Sequence, residues 1–302
     1  MNLTVKIGSI TMKNPVMTAS GTFGYGAEMS EFVDLNELGA IVVKGISLMP
    51  RQGNPSPRIW ETPCGMLNSI GLQNVGLKRF LTEKLPYLKR YDVPVVVNIL
   101  GDSVDEYVTI AQALDGQVQG IEMNLSCPNV KKGGILFSSD REIFADAIRS
   151  VRKKVEKSTL IVKLSPQSSI PEFAKVAETE GADAISLINT IPAMAIDIET
   201  RRPRLAKGIG GLSGPAIRPI AVRMVWEAYS TVNLPVIGMG GIMTGEDAIE
   251  FILAGATAVA VGTANFIWPD ATRRVIEGIK DYMLRHGIDD INSLRGGILW
   301  EG

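Results

Sequence analysis

Eight short apolar runs, at residues 16–19, 40–44, 94–99, 120–125, 160–164, 184–188, 235–239 and 256–261, alternate with longer amphipathic stretches. The runs are rich in Val and Ile and lack polar alternation, the pattern of strands covered on both faces. The stretches between them carry helical spacing: Phe144, Ile148, Val151 and Val155 recur three or four residues apart. Glu180-Gly181-Ala182-Asp183 and Ala254-Gly255-Ala256-Thr257 repeat one device, a helix end, a glycine fit for the C′ position and a strand start. Eight β-then-α units in 302 residues predict an α/β chain folded as a (β/α)8 TIM barrel. A doubly wound open sheet is the structural alternative, although it usually has fewer parallel strands. Ahead of the first unit, Thr4-Val5-Lys6-Ile7 and Ile10-Thr11-Met12 flank Gly8-Ser9 and predict an N-terminal β-hairpin. No shift in composition marks a linker, so residues 1–302 are read as one domain.

Charge and composition narrow the function. Lys and Arg number 31 against 32 Asp and Glu, a net charge of −1, which lacks the footprint of a nucleic-acid binder. Two cysteines, Cys64 and Cys127, cannot build a disulfide framework or a cysteine zinc site. The single histidine, His286, excludes mechanisms that need two, and its place near the end of the last predicted helix suits a solvated residue. The N-terminus has no unbroken apolar segment of the secretory kind, and glycines and polar residues interrupt the uncharged run at 252–269. A cytoplasmic protein without a metal site is expected.

Three connections are too long for simple turns: residues 47–75, 126–139 and 189–214, each after a predicted strand. In barrels that end of the strands builds the active site. The polar residues there are Ser20, Lys44, Asn98, Asn124, Lys163 and Asn189, followed by Gly240-Gly241 and Gly262-Thr263. A buried strand gains nothing from an unpaired lysine or asparagine, so their recurrence at strand ends predicts a polar mouth. Capping or loop closure is the plainer role for any one of them. The two glycine stretches follow the seventh and eighth runs, where barrels often bind phosphate through backbone N–H groups, and Ser213-Gly214-Pro215 opens another helix nearby. Asn124-Leu125-Ser126-Cys127-Pro128-Asn129 places a thiol on the loop after the fourth run. A buried structural cysteine is its plain reading; a base for removing a proton alpha to a carbonyl is the functional one. Cys64 lies further from a strand end and is the weaker candidate.

These segments, together with Asn14-Pro15, Ala19-Ser20-Gly21, Val43-Lys44-Gly45, Asn68-Ser69-Ile70-Gly71-Leu72-Gln73-Asn74, Val97-Asn98-Ile99, Lys163 and Asn189-Thr190, occur in an order that resembles the class 1 dihydroorotate dehydrogenases. The resemblance runs over nearly the whole chain and implies the same barrel. The family's membrane-bound class 2 uses serine as its base and carries an N-terminal extension, so Cys127 and the early start of the barrel favour class 1. Asn129-Val130-Lys131-Lys132-Gly133-Gly134 looks like the NAD-dependent form, class 1B. The resemblance then implies one FMN per chain and oxidation of (S)-dihydroorotate to orotate in pyrimidine biosynthesis. It implies C5 deprotonation by Cys127 with hydride passing from C6 to flavin N5. It also implies a partner subunit carrying FAD and a 2Fe–2S cluster, which passes electrons to NAD in a heterotetramer of two catalytic and two electron-transfer chains. Two cysteines cannot hold a four-cysteine cluster on this chain.

By the same resemblance, Lys44, Asn68, Ser69, Ile70, Gly71, Leu72, Asn124, Asn189 and Thr190 would bind substrate. Ser20, Gly21, Lys44, Gly45, Asn98, Asn124, Lys163, Ile188, Gly214, Gly240, Gly241, Gly262 and Thr263 would hold FMN, with Lys163 at its pyrimidine edge and the late glycines and Thr263 at its phosphate. Trp60 stands where a smaller residue is expected. The fumarate-dependent class 1A enzyme, a flavin barrel acting on another pyrimidine, a non-redox phosphate-binding barrel and a silent docking subunit are the alternative functions.

Overall fold

The computed structural model describes residues 1–125 and 140–300. Strands β1 (Val5–Ile7) and β2 (Ile10–Met12) form the expected antiparallel hairpin. Eight parallel strands follow: β3 (Val16–Thr18), β4 (Ile41–Ile46), β7 (Val95–Ile99), β8 (Gly120–Asn124), β9 (Thr159–Lys163), β10 (Ala184–Leu187), β15 (Val236–Met239) and β16 (Ala258–Val261). Each pairs with its sequence neighbours in this set, β16 returns to β3, and a bridge from Met17 to Ala40 closes the ring between β3 and β4. This is the (β/α)8 barrel.

The strands form because their side chains are covered both by the barrel interior and by the helices outside. All five residues of β7, Val-Val-Val-Asn-Ile, are buried. Each such aliphatic side chain contributes about 1.5–3 kcal/mol by leaving water. The helices are α1 (Gly76–Arg79) and α2 (Leu85–Leu88), joined by a π-helical turn, then α3 (Val104–Leu114), α4 (Arg141–Arg152), α5 (Ile170–Thr179), α6 (Arg218–Tyr229), α7 (Gly245–Leu253) and α8 (Ala271–Arg285). Local signals start several of them. Asp140 caps α4 by accepting from the N–H groups of Glu142 and Ile143, and Thr244 with Asp247 forms a capping box on α7. Phe144, Ile148 and Val151 are the buried stripe of α4, as their spacing predicts.

Two features depart from the sequence reading. The first unit has no α-helix after its strand, only a short 3-10 helix at Leu35–Glu37. Gly24 and Gly26 adopt positive φ in that connection, which breaks a right-handed helix. Secondly, connections 47–75 and 189–214 are not irregular loops. They contribute β5 (Ile59–Thr62) and β6 (Gly65–Asn68), then β11 (Ile191–Met194) and β14 (Ile209–Ser213), which build one antiparallel sheet in the order β11-β14-β6-β5. Between β11 and β14 in the chain, β12 (Ile196–Asp197) and β13 (Arg202–Pro203) form a separate antiparallel pair. Leu67 lies opposite Leu212 across the seam, and Leu205 is buried nearby. Trp60 is accommodated on the exposed side, with the Arg204 guanidinium 4.4 Å from its ring centre. Among the described residues no helix is long and apolar enough to cross a membrane.

Candidate active site

A polar network crosses adjacent strands at the C-terminal end of the barrel. Lys163 is the last residue of β9 and Asn124 the last of β8, and the ladder puts them side by side. Asn98, on β7, lies opposite Glu122 of β8. Glu122 is 1% exposed and is the acceptor for the others: Asn98 Nδ2 donates to Oε2 (2.5 Å) and Ser186 Oγ to Oε1 (2.7 Å). Lys163 Nζ stands 4.0 Å from Glu122 Oε2 and donates to Ser20 Oγ (3.3 Å). Asn124 Nδ2 reaches Asn98 Oδ1 at 3.5 Å, and the Asn124 carbonyl accepts from Tyr107 Oη (2.8 Å). Ser20, Asn98, Asn124 and Lys163, distant in sequence, thus meet on one surface. Sequence reasoning passed over Glu122 and Ser186. The available signal was a carboxylate inside the apolar run Ile121-Glu122-Met123, since acids are almost never fully buried without partners.

Lys44 reaches the rim by a different device. Its strand has a register irregularity between Val43 and Ile46, and the Lys44 N–H donates to Gly24 (2.9 Å) instead of the neighbouring strand. Such a bulge redirects a side chain. Burial pushes the Lys44 ammonium below its usual pKa, the Arg58 cation adds to the shift, and Glu28 opposes it. Gly45 follows with no side chain; a Cβ there would lie 2.8 Å from Asn98 Oδ1. A cleft of about 810 Å³ opens beside Lys44, bordered by Tyr25, Arg51 and Lys78.

The antiparallel sheet presents the segment Asn68-Ser69-Ile70-Gly71-Leu72. Asn68 Nδ2 donates to the Gly211 carbonyl (3.3 Å) across the β6–β14 seam. Thr190 packs against the same Gly211, and its N–H donates to Asn189 Oδ1 (2.8 Å). Two backbone bonds, Ser69 N–H to the Arg58 carbonyl and Asn54 N–H to the Ile70 carbonyl, and one side-chain bond, Asn74 Nδ2 to the Leu72 carbonyl, hold the rest. Gly71 and Leu72 both take positive φ. Ser69 Oγ is buried with no hydrogen-bond partner among the described residues, a polar atom suited to a ligand.

On the other side of the mouth the glycine stretches converge. Thr263 Oγ1 donates to Ser213 Oγ (2.8 Å), joining the turn after β16 to the end of β14. Gly241 has φ +75°, and a Cβ on it would stand 2.7 Å from the Gly214 carbonyl and 2.9 Å from Arg218 Cβ. Gly240 abuts Ile188. Gly21 and Gly262 face open space or methyl groups. Backbone lies bare along this rim, which is the requirement for N–H groups to approach a phosphate. Cys127 lies outside the described residues. Cys64 is exposed at the β5–β6 turn, and exposed His286 stacks on Tyr282 at the end of α8.

Fold and site define a (β/α)8 barrel with a buried lysine and amides on one side of its mouth and a glycine-lined rim on the other. The chain belongs to the dihydroorotate dehydrogenase family, whose model matches residues 2–283. It is 56% identical to the dihydroorotate dehydrogenase B (NAD(+)), catalytic subunit, of Thermoanaerobacter pseudethanolicus over 300 residues, 99% of both chains. It is also 56% identical to the protein of the same description from Thermodesulfovibrio yellowstonii, over 97% of this chain and 98% of that one. Among solved structures, DHODH in complex with ferulenol from Eimeria tenella matches with a TM-score of 0.82 at 24% identity, covering 98% of this chain and 88% of that chain. That likeness carries the fold.

Proposed function

We propose that this chain is the catalytic subunit of an NAD-linked dihydroorotate dehydrogenase of pyrimidine biosynthesis, oxidising (S)-dihydroorotate to orotate with FMN held at the barrel mouth. The observation that carries this reading is the meeting of Lys163, Asn98, Asn124 and the Gly214–Gly241 rim at one mouth, in a chain 56% identical end to end to catalytic subunits of that description. The residues fit the flavin. The bare backbone at Gly214, Gly240, Gly241 and Gly262, with Thr263, suits its phosphate. Lys163 supplies a buried cation suited to its pyrimidine edge, and Ser20, Gly21, Lys44, Gly45, Asn98, Asn124 and Ile188 would line the space between. When bound, FMN would supply the two-electron redox chemistry that no side chain here can perform.

The remaining steps fall to the chain. Lys44, cationic at the rim, attracts the substrate carboxylate. Asn68, Asn124, Asn189 and Thr190 offer donors and acceptors for the pyrimidine ring, and the segment 69–72 would lie beside it. Cys127 takes the C5 proton, as a thiolate can near neutral pH. The whole chain, 1–302, serves as one FMN-binding domain. The chain would work in the cytoplasm, and electrons would leave through a separate partner that holds FAD and a 2Fe–2S cluster, in an assembly of two catalytic and two electron-transfer chains.

The test is anaerobic. The purified chain, reconstituted with FMN, is mixed with dihydroorotate and the visible flavin absorbance is followed. Bleaching supports cofactor, substrate and hydride transfer together. Failure to bind FMN overturns the reading, and bound flavin that dihydroorotate does not bleach, even with the partner subunit present, overturns the substrate assignment.

A further inference from the structure

Glu122 is a buried acidic side chain that has no part in the chemistry described above. Its carboxylate meets one residue on each of three strands: Asn98 on β7, Lys163 on β9 and Ser186 on β10. We propose that Glu122 is a positioning residue for the flavin site, acting as counter-ion to Lys163 and as the anchor that fixes the sense of the amide chain from Asn98 to Asn124. The inference rests on the reading that the mouth holds FMN.

The orientation argument is chemical. An ionised carboxylate only accepts hydrogen bonds, so the amide face that meets it must be the NH2 of Asn98. The 2.5 Å contact to Glu122 Oε2 therefore leaves Asn98 Oδ1 on the opposite side, beside Gly45 and Asn124 Nδ2. That oxygen accepts from Asn124 Nδ2 and lies against the bare Gly45 backbone, so Glu122 fixes the sense of the amide chain that runs from Asn98 to Asn124. Ser186, by donating to the other carboxylate oxygen, stops Glu122 from rotating away.

The charge argument follows from burial. Lys163 and Glu122 side chains are 6% and 2% exposed, so water screens neither. Lys163 is also held by Ser20. A cation at the flavin's pyrimidine edge favours the negative charge that reduction adds. The carboxylate 4.0 Å behind it tempers that field. Glu122 thereby sets how strongly the site favours the reduced flavin.

The experiment compares wild type, Glu122→Gln, Glu122→Asp and Glu122→Ala for FMN affinity, by quenching of flavin fluorescence, and for the midpoint potential of bound FMN. Glutamine can still accept from Asn98 and donate to Ser186, so Glu122→Gln removes charge with little change of shape. Its midpoint potential should rise, and Lys163→Met in the same background should abolish the rise. Glu122→Ala releases Asn98 and should weaken FMN binding by about ten- to a hundredfold, the loss of one charge-assisted hydrogen bond. Should the Gln variant not fold, Glu122→Asp carries the test. Its charge is retained but drawn back by one methylene, and its potential should shift in the same sense by less. A folded Gln or Asp variant with the wild-type potential overturns the counter-ion role, as a merely structural residue would lower only thermal stability. A wild-type chain that does not bind FMN overturns the reading beneath.

Discussion

The Thr18 hydroxyl and the backbone of Val42 exchange two hydrogen bonds across the closing seam of the barrel. Thr18 Oγ1 donates to the Val42 carbonyl (3.1 Å) and accepts from the Val42 N–H (2.9 Å). A side chain thus takes the place of ladder bonds where β3 and β4 share a single bridge. Thr18→Val keeps the shape and strands both Val42 groups away from water. We expect a loss of about 2–4 kcal/mol in denaturant unfolding, with Thr18→Ser retaining most of the stability. Equal midpoints for Thr18→Val and wild type would show that the seam does not depend on this hydroxyl.

Lys44 predicts a pH dependence with a definite sign. Its folded pKa is lowered from 10.5, chiefly by burial and then by Arg58. Between the folded pKa and 10.5 the unfolded chain binds more protons, so this group makes the fold more stable as pH rises across that window. Ligand binding runs the other way, because a carboxylate needs the ammonium. Orotate affinity should fall with rising pH from below 10.5, earlier than an ordinary lysine would require, and binding in the alkaline range should take up protons. In Lys44→Met the affinity should be weak and lack this alkaline decline. A titration in which the Met variant and wild type fall off together would remove Lys44 from the substrate site.

Gly241→Ala tests the phosphate rim. The added methyl would sit 2.7 Å from the Gly214 carbonyl in a positive-φ conformation. A stability cost of about 1–3 kcal/mol is expected. Fluorescence titration should also show FMN affinity reduced by about tenfold or more, a single-contact loss. Reduced stability with unchanged affinity would place the phosphate elsewhere.

Cys127→Ala should bind FMN and dihydroorotate but reduce the flavin about 10²–10⁴ times more slowly in anaerobic stopped flow, the usual contribution of a general base. Reduction at the wild-type rate would exclude Cys127 as the base.

Much of the barrel was legible because strands covered on both faces leave a local mark. Val95 to Ile99 reads as buried from its own side chains, with no knowledge of its neighbours. Lys163, Asn124 and Asn98 stood out because polar residues at the ends of such runs need an explanation. The sheet β11-β14-β6-β5 left no such mark. Its strands are short and partly exposed, and β6 pairs with a segment that lies 143 residues away. Glu122 was passed over because, as one residue in an apolar run, it shows no partner in the sequence.

The sequence by itself determined the β-then-α rhythm, the strand ends that carry the polar groups and the order of the glycine stretches, since these depend on local side-chain chemistry and spacing. Only the tertiary structure decided that Lys163 lies between Ser20 and Glu122, that Asn98 bridges Glu122 and Asn124 and that two long connections pair as one sheet. Those relationships arise when closure of the barrel brings β3 against β16 and distant strand ends onto one rim. The desolvation of that rim then requires each buried polar group to find its partner.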